Sequence, residues 1–496
     1  MTSTTPLPAA GSDGIDAGRL FTGSRFAIAT GAARFVAITM IMDSLKNVFG
    51  LSDEDVGWIG GAGLWGFTVP MLIFGSLCDV LGMKLVLRLA VLCHLAGALL
   101  MIFAGGFWTL FAGSLLLSMG DGLVQAACNP LVATLYPDRK TEMFNKLHLW
   151  FPGGIVITGL VAYGLTQIVP AYWQAELVVV LIPAVGYGVL FLGQQFPATE
   201  RVQSGVSSRE MFRETFCRPL FWVLALAMMM TASVELGPNT WLTPMLASGG
   251  IPGILVLVWI SLLMAVMRQL SGTMLRTLGA TRILLLSAVL TGLGLLWLSY
   301  AHGLVIALAA GSVFALGVAY FWPTMIGTTS ERVPKGGALA LAMMGAAGML
   351  SVGLITTPMM GRVADQHFHS GLPVAETQAC LRQIAETFPE VAPPASSPAV
   401  EKARQAAKEA LRSQTAPGTL AIGATADALR LAIAADSEAA AAKEARLLWR
   451  QAEYYGRQVA FRYVAVLAVV LMVIFGLLHL RGNKGDGSVP SSAEIG

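Results

Sequence analysis

Long apolar stretches alternate with short polar stretches along almost the whole chain. The apolar stretches run for roughly 20 residues, the length that an α-helix needs to cross a hydrocarbon core about 30 Å thick. This pattern predicts an all-α membrane protein with twelve transmembrane helices. We place them at 26–49, 54–78, 85–104, 108–135, 146–168, 173–195, 219–245, 252–275, 282–300, 303–328, 337–362 and 459–480.

The composition agrees with a chain that lies mostly in lipid. Hydrophobic residues make up 55% of the 496 residues, charged residues make up 12%, and the mean hydropathy is +0.68. Residues 1–25 are largely polar and small, without the apolar core of a signal peptide, and we interpret them as a flexible tail. The five cysteines have neither paired nor metal-binding spacing, so we expect no disulfide framework and no metal site.

The positions of lysine and arginine predict the orientation in the membrane. Basic residues in short loops are retained in the cytoplasm, and here they follow the even-numbered spans. We therefore expect a multi-pass protein of the inner (plasma) membrane with both termini in the cytoplasm. The net charge of +3 gives no sign of a nucleic-acid partner. The residues that carry this argument are Lys84, Arg88, Arg139, Lys140, Arg201, Arg276, Arg282, Arg332 and Lys335.

A duplication is visible in two predicted cytoplasmic turns, "GSLCDVLGMK" at 75–84 and "GTMLRTLGATR" at 272–282. The same offset of 197 residues carries span one onto span seven and span two onto span eight. Two related halves predict a substrate pathway between them, near the middle of the membrane. The corresponding positions are Gly75, Asp79 and Gly82 in the first turn, and Gly272, Arg276 and Gly279 in the second.

The duplication also divides the chain into domains. We predict an N-terminal six-helix bundle at 26–195, a cytoplasmic linker at 196–218 and a C-terminal six-helix bundle at 219–480, followed by a cytoplasmic tail at 481–496. An insertion outside the cytoplasm, at 364–458, interrupts the second bundle.

The turn "GSLCDVLGMK" resembles the loop signature of the major facilitator superfamily, although Val80 and Met83 stand where that family often has basic residues. The resemblance implies the major facilitator fold and alternating access between two bundles. Asp79 is then expected to accept hydrogen bonds from a neighbouring helix start, or to pair with a basic side chain of the other bundle as a gate. The alternative is that Asp79 and Lys84 only mark the interface. The gating candidates are Gly75, Asp79, Gly82, Lys84 and Arg276.

A second resemblance lies in "VQAACNPLVATL" at 124–135 and "FNKLHLWFPGG" at 144–154. These segments are similar to the fourth and fifth helices of the fucose permease branch, whose members are sugar/proton symporters. The resemblance implies a sugar-like solute and a proton-linked carboxyl group. Gln125 takes the place of an acidic residue of that branch, and Asp43 is the match for its proton-linked aspartate.

Charged residues inside the spans give independent evidence, because burying charge in hydrocarbon is costly. In "TASVELGPNTWLTP", Glu235 lies near Pro238, which lacks the N–H that would have bonded the carbonyl of Val234. A carboxylate, an amide and an indole together suit a hydroxylated solute. The alternative is a kinked helix in which Glu235 pairs with Arg268 for structure alone.

These arguments give two sets of candidate residues. We expect proton coupling, if it occurs, at Asp43, Asp121 or Glu235. Tyr320 and Trp322 form either an aromatic gate or plain interhelical packing, and His94 is expected to be a hydrogen-bonded structural residue. The solute-binding candidates are Gln125, Asn129, Asn145, His148, Trp150, Glu235, Asn239, Trp241, Tyr320 and Trp322.

The insertion at 364–458 contains a Pro-rich piece followed by Ala-rich segments with charges at helical spacing. We expect two or three helices in a loosely ordered insertion. A cap over the outer vestibule and a surface for a partner are the alternatives.

No nucleotide-binding or hydrolase motif occurs in the chain, so we expect neither an enzyme nor a cofactor. The sequence predicts a secondary transporter that moves a small polar solute, a sugar or a related compound, by alternating access. It is expected to work as a monomer among membrane lipids, coupled to a proton or another ion or acting as a facilitator. The alternative is a transporter-like receptor or assembly subunit that works through its insertion.

Overall fold

The computed structural model describes residues 14–51, 53–169, 172–387, 398–413, 420–436 and 438–485. Within these ranges the chain forms helices and short connections, with no β-strand. In the first half the helices are α1 (Ala17–Phe49), α2 (Asp53–Leu81), α3 (Met83–Ile102), α4 (Phe107–Leu135), α5 (Lys140–His148), α6 (Trp150–Ile168) and α7 (Gln174–Phe191).

Two short helices, α8 (Glu200–Gln203) and α9 (Ser208–Phe216), lie in the linker. The second half begins with α10 (Pro219–Ser248), α11 (Gly253–Gln269), α12 (Ser271–Leu278), α13 (Ala280–Leu298), α14 (Leu304–Val318) and α15 (Phe321–Arg332). It continues with α16 (Gly337–Leu350), a π-helical segment (Ser351–Thr356), α17 (Thr357–Phe368), α18 (Val374–Thr387), α19 (Pro398–Arg412), α20 (Ile422–Ala435) and α21 (Ala440–Gly485).

The helices confirm the expected all-α membrane architecture. In the described part of the chain, eleven are long and apolar enough to cross a membrane, and α11 with α12, bent by 61°, would make a twelfth span. Helix α1 begins at Ala17, earlier than the predicted start at residue 26. Arg19 explains the longer helix, because its Nε donates to the carbonyl of Leu190 at the end of α7 (2.9 Å).

The backbone repeats the duplication that the sequence predicts. Gly82 precedes α3 with φ 79°, and Gly279 precedes α13 with φ 75°. This left-handed region is open to glycine at little cost, so both turns need glycine. Tyr136 and Val333, also 197 residues apart, have φ of −133° and −128° before matching 3₁₀ turns. The two halves therefore follow one folding pattern.

The two halves touch near the linker. We call this side of the molecule, where α8 and α9 lie, the linker end, and the opposite side, where α18–α20 lie, the insertion end. A Cβ on Gly75 of α2 would come within 2.5 Å of the Ala342 side chain of α16, so glycine permits the close approach of these helices. Nearby, Thr141 of α5 donates through Oγ1 to Glu331 of α15 (2.5 Å).

The insertion is folded rather than loosely ordered, which corrects the expectation from the sequence. Helices α18, α19, α20 and the start of α21 enclose a core of their own, because their alanines and leucines face one another at helical spacing. Its most buried larger side chains are Leu381, Ile384, Leu429 and Leu448. The Pro-rich piece at 388–397 lies outside the described residues.

Helix α21 joins this folded insertion to the membrane part, since it runs without a break from Ala440 into the last span. Three of its residues bind the second half at the insertion end. Tyr454 donates to the carbonyl of Ala301, and Arg457 donates to Ser248 Oγ (2.5 Å). The Arg462 guanidinium lies near Ser299 (Nε to Oγ, 3.3 Å). The described part of the insertion is thus attached to the second half both by a continuous helix and by side-chain contacts.

Candidate functional site

A cavity of about 290 Å³ lies between the two halves. Small-molecule pockets span roughly 300–1,000 Å³, so this volume suits a small solute. Polar and aromatic side chains from both halves reach it. They are Arg34, Phe35, Phe67, Asp121, Gln125, His148 and Phe151 from the first half, and Glu235, Asn239, Thr240, Ser261, Arg268, Trp322 and Thr357 from the second.

The wall formed by the first half contains a buried ion pair. Arg34 Nε of α1 lies 2.5 Å from Asp121 Oδ2 of α4. The second oxygen of Asp121 lies 3.1 Å from His94 Nε2, and His94 Nδ1 lies 2.8 Å from the Tyr187 hydroxyl. His94 is thus hydrogen-bonded on both ring nitrogens. Sequence reasoning missed Tyr187, and its only signal was a lone phenol in an otherwise apolar span.

The wall formed by the second half contains another buried ion pair, Arg268 Nη2 of α11 with Glu235 Oε1 of α10 (3.2 Å). Arg268 also donates from Nε to the carbonyl of Ala319 (2.6 Å) and from Nη1 to the carbonyl of His148 (2.7 Å). The sequence offered this ion pair as the alternative to a cavity role for Glu235. The structure shows the ion pair, and both of its residues also line the cavity.

Proline explains why those two carbonyls are free to accept. A helical N–H bonds the carbonyl four residues earlier, and proline has no N–H. Pro323 therefore leaves Ala319 without its helical partner, and Pro152 does the same for His148. Arg268 joins a freed carbonyl of its own half to a freed carbonyl of the other half.

A polar chain continues along the first half. Asn129 donates to Gln125 Oε1 (3.0 Å), and its own oxygen lies 3.2 Å from His148 Nε2. Gln125 and His148 line the cavity, whereas Asn129 lies behind them, fully buried. The amide of Asn129 therefore orients the two residues that reach the cavity.

The ten solute-binding candidates fall into two groups. Gln125, His148, Glu235, Asn239 and Trp322 line the cavity. The other five lie elsewhere, because the sequence does not fix the rotation of each helix. They are Asn129, Asn145, Trp150, Trp241 and Tyr320.

The residues away from the cavity have other contacts. Asn145 donates to Thr324 Oγ1 across the two halves (3.2 Å), and the Tyr320 hydroxyl donates to the carbonyl of Met267 (2.6 Å). Trp241 lies 5.9 Å from the Arg457 guanidinium, and Trp150 packs against the core. These contacts assign the four side chains to packing between elements.

Two of the three proton-coupling candidates lie on the cavity. Asp121 and Glu235 line the cavity, each beside an arginine of its own half. The side chain of Asp43 lies outside the described residues.

Asp79, a gating candidate, has a different partner from the one predicted. Its Oδ2 accepts from Arg201 Nε (2.5 Å) and its Oδ1 from Thr199 Oγ1 (2.5 Å). Both donors belong to the linker rather than to the other bundle, because α8 folds against the end of α2. The side chain of Arg201 also lies against Gly337 at the start of α16, so the linker touches both halves.

The remaining gating candidates lie at the same end. Lys84 donates to the carbonyl of Gln194 (2.7 Å). Arg276 lies on α12, one turn after Gly272, which faces Glu142 of α5. The residues of the first turn thus contact the linker and the second half.

In the described part of the chain, no group of three or more His, Cys, Asp or Glu residues could hold a metal ion. All five cysteines are free.

Two repeated helical bundles around a polar cavity define a membrane transporter rather than an enzyme. The sequence profile of the Major Facilitator Superfamily matches residues 26–360. The chain belongs to the Major Facilitator Superfamily.

Solved structures share the fold at low sequence identity. The fucose:proton symporter FucP of E. coli is 15% identical, with a TM-score of 0.58, over 70% of this chain and 92% of that one. A D-xylose–proton symporter is 16% identical, with a TM-score of 0.55, over 69% and 90%. A bacterial homologue of the human lysosomal transporter Spinster is 14% identical, with a TM-score of 0.57, over 96% and 99%.

Among curated proteins, the proposed niacin/nicotinamide transporter NiaP of Bacillus subtilis (strain 168) is 24% identical over 169 residues. The match covers 34% of this chain and 41% of NiaP, so it spans less than half of that relative.

Proposed function

We propose that this transporter moves a small polar solute, a sugar or a related hydroxylated compound, by rocking its two halves about the central cavity. The observation that carries the proposal is that the cavity lies between the halves and is lined by ionisable side chains from each. Any relative motion of the halves would change the hydration of these groups. Placing ionisable groups inside the membrane costs free energy, and such groups usually have a functional role.

The lining supports a solute with both polar and apolar faces. Glu235, Asn239 and Gln125 offer hydrogen bonds to hydroxyl groups, while Trp322 and Phe151 offer aromatic surface to C–H groups. FucP and the D-xylose–proton symporter are named for sugars, whereas NiaP is named for a pyridine compound. The aromatic lining makes such a compound the second candidate.

We place the linker and both termini in the cytoplasm, because the basic residues of the short loops gather at the linker end. Contacts between Gly75 and Ala342, and between Thr141 and Glu331, then close the cytoplasmic side. The structure would represent the state in which solute enters from outside.

Proton coupling would use Asp121 or Glu235. Each carboxylate is paired with an arginine on the cavity wall, so a change in hydration or in pairing would change its affinity for a proton. A transporter without this coupling would only equilibrate its solute across the membrane.

Uptake into proteoliposomes tests the proposal with a panel of sugars, polyols and pyridine compounds. We expect uptake of at least one solute, its accumulation under an imposed proton gradient, and loss of that accumulation in Glu235→Gln. Glu409→Gln on α19 of the insertion is the matched control and should transport normally. Uptake of no solute in the panel would contradict the proposal, whereas uptake without accumulation would identify a facilitator.

A further inference from the structure

The charges on the cavity wall cancel. Two guanidinium groups, of Arg34 and Arg268, and two carboxylates, of Asp121 and Glu235, line the cavity. Each arginine is paired with a carboxylate of its own half, at 2.5 Å in the first half and 3.2 Å in the second. The cavity thus presents no net charge from these four groups.

Arg268 is also largely engaged by the protein, because three of its five N–H groups have protein acceptors. Its three nitrogens donate to three different protein oxygens, those of Glu235, Ala319 and His148. Both oxygens of Asp121 are engaged as well, with Arg34 and His94. An acidic solute would therefore meet guanidinium charges that the carboxylates of Asp121 and Glu235 already offset.

On the cavity wall formed by the second half, two acceptor atoms are left unpaired. Among the described residues, Glu235 Oε2 and Asn239 Oδ1 are buried and have no hydrogen-bond partner. Glu235 and Asn239 are four residues apart on α10, so they lie on one face of that helix, and both line the cavity. A buried acceptor is costly when it is left unpaired, so a solute that donates to these two atoms as the halves move is favoured.

We propose that the solute is uncharged, that it donates hydrogen bonds to Glu235 and Asn239, and that Asn239 is a residue that determines this specificity. The inference rests on the proposed function and narrows its substrate class. A hydroxyl or carboxamide group satisfies these acceptors, whereas a carboxylate group would face them with lone pairs and no free counter-charge. A cation would meet the acceptors but lie beside the Arg268 guanidinium.

Matched pairs of solutes that differ in charge test the inference. A hexitol is compared with the corresponding aldonate, and nicotinamide with nicotinate, by equilibrium binding to purified protein at pH 8. We expect at least one uncharged member to bind at least tenfold more tightly than its acid. Equal or tighter binding of the acids to the unmodified protein would overturn the inference and leave the transporter proposal intact.

Two substitutions on α10 separate charge from hydrogen bonding. Asn239→Leu, which removes the acceptor at similar size, should weaken binding of the uncharged solute about tenfold, the effect of one buried hydrogen bond. Glu235→Gln leaves Arg268 without its counter-charge, so the acid of the same pair should gain about tenfold. Glu409→Gln, which removes a charge from α19, should change neither affinity.

A third variant guards against misfolding. Asn239→Asp keeps an acceptor and adds a negative charge, so it should retain the uncharged solute within a few-fold and gain affinity for a protonated amine analogue. Unchanged binding in Asn239→Leu would overturn the role of Asn239. Failure of every solute both to bind and to be taken up would overturn the proposed function itself, and the inference with it.

Discussion

Arg268 shows how one side chain can combine an ion pair with two backbone contacts. Its planar guanidinium presents donors in fixed directions, which here meet the carboxylate of Glu235 and the carbonyls of Ala319 and His148. A lysine ammonium at the same place is a single point and could not reach all three oxygens. The contact with His148 also links the two halves beside the cavity.

We expect Arg268→Lys to destabilise the protein although it keeps the charge. At least one buried carbonyl would lose its donor, which costs about 1–3 kcal/mol of unfolding free energy. Thermal unfolding in detergent measures the change. Arg282→Lys is the control, because the contact of Arg282 with His479 (3.4 Å) is exposed. A melting temperature of Arg268→Lys equal to that of the unmodified protein would contradict this role.

At the scale of elements, the eleventh span is divided by its π-helical segment, Ser351–Thr356. The part at the linker end, α16, packs on α2 of the first half, whereas the part at the insertion end, α17, continues into the insertion. Three hydroxyls hold the segment against α10: Ser233 Oγ lies 2.9 Å from Ser351 Oγ and 2.6 Å from Thr356 Oγ1. Such segments interrupt the regular ladder of helical hydrogen bonds, so this span is suited to bend here.

We expect Thr356→Val, which removes the hydroxyl at nearly constant shape, to loosen this segment. The loss of its hydrogen bonds should cost about 1 kcal/mol and raise the hydrogen-exchange rate of the amides at 351–360. Thr329→Val in the regular helix α15, where the hydroxyl bonds the carbonyl of Met325 (2.9 Å), is the matched control. Equal exchange at 351–360 in both variants would show that the hydroxyl cluster does not hold the π-helical segment.

At the scale of the whole molecule, the linker end and the insertion end are expected on opposite sides of the membrane. Two natural cysteines report on this arrangement. Cys217 is exposed beside α9, whereas Cys380 is buried in the core of the insertion. Burial raises the pKa of the Cys380 thiol to about 12, so at pH 8 it stays protonated, and the reactive thiolate is scarce.

We expect a membrane-impermeant maleimide at pH 8 to leave Cys217 unlabelled in intact cells and to label it after permeabilisation. Glu409→Cys on the exposed face of α19 should be labelled in intact cells, while Cys380 should stay unlabelled on either side. Labelling of Cys217 from outside would reverse the proposed orientation.

The class of protein, its spans and its duplication were all predictable from the amino-acid sequence. A helix in lipid must satisfy its own backbone hydrogen bonds, so the length of each apolar run fixes a crossing. The two repeated turns at Gly82 and Gly279 were also predictable, because a tight turn with a positive φ nearly always requires glycine. The presence of Glu235 and Asp121 on the cavity was predictable from the cost of burying charge elsewhere.

Other contacts, among them the partner of Asp79, depend on the tertiary structure and were not predicted. Asp79 pairs with Arg201, and not with the other bundle, because the linker folds as a helix beneath α2. Trp241 and Tyr320 face away from the cavity, since the rotation of each helix depends on its neighbours and not on its own composition. The described helices of the insertion form a core because their alanine faces bury one another, and a sequence taken one segment at a time cannot show that contact.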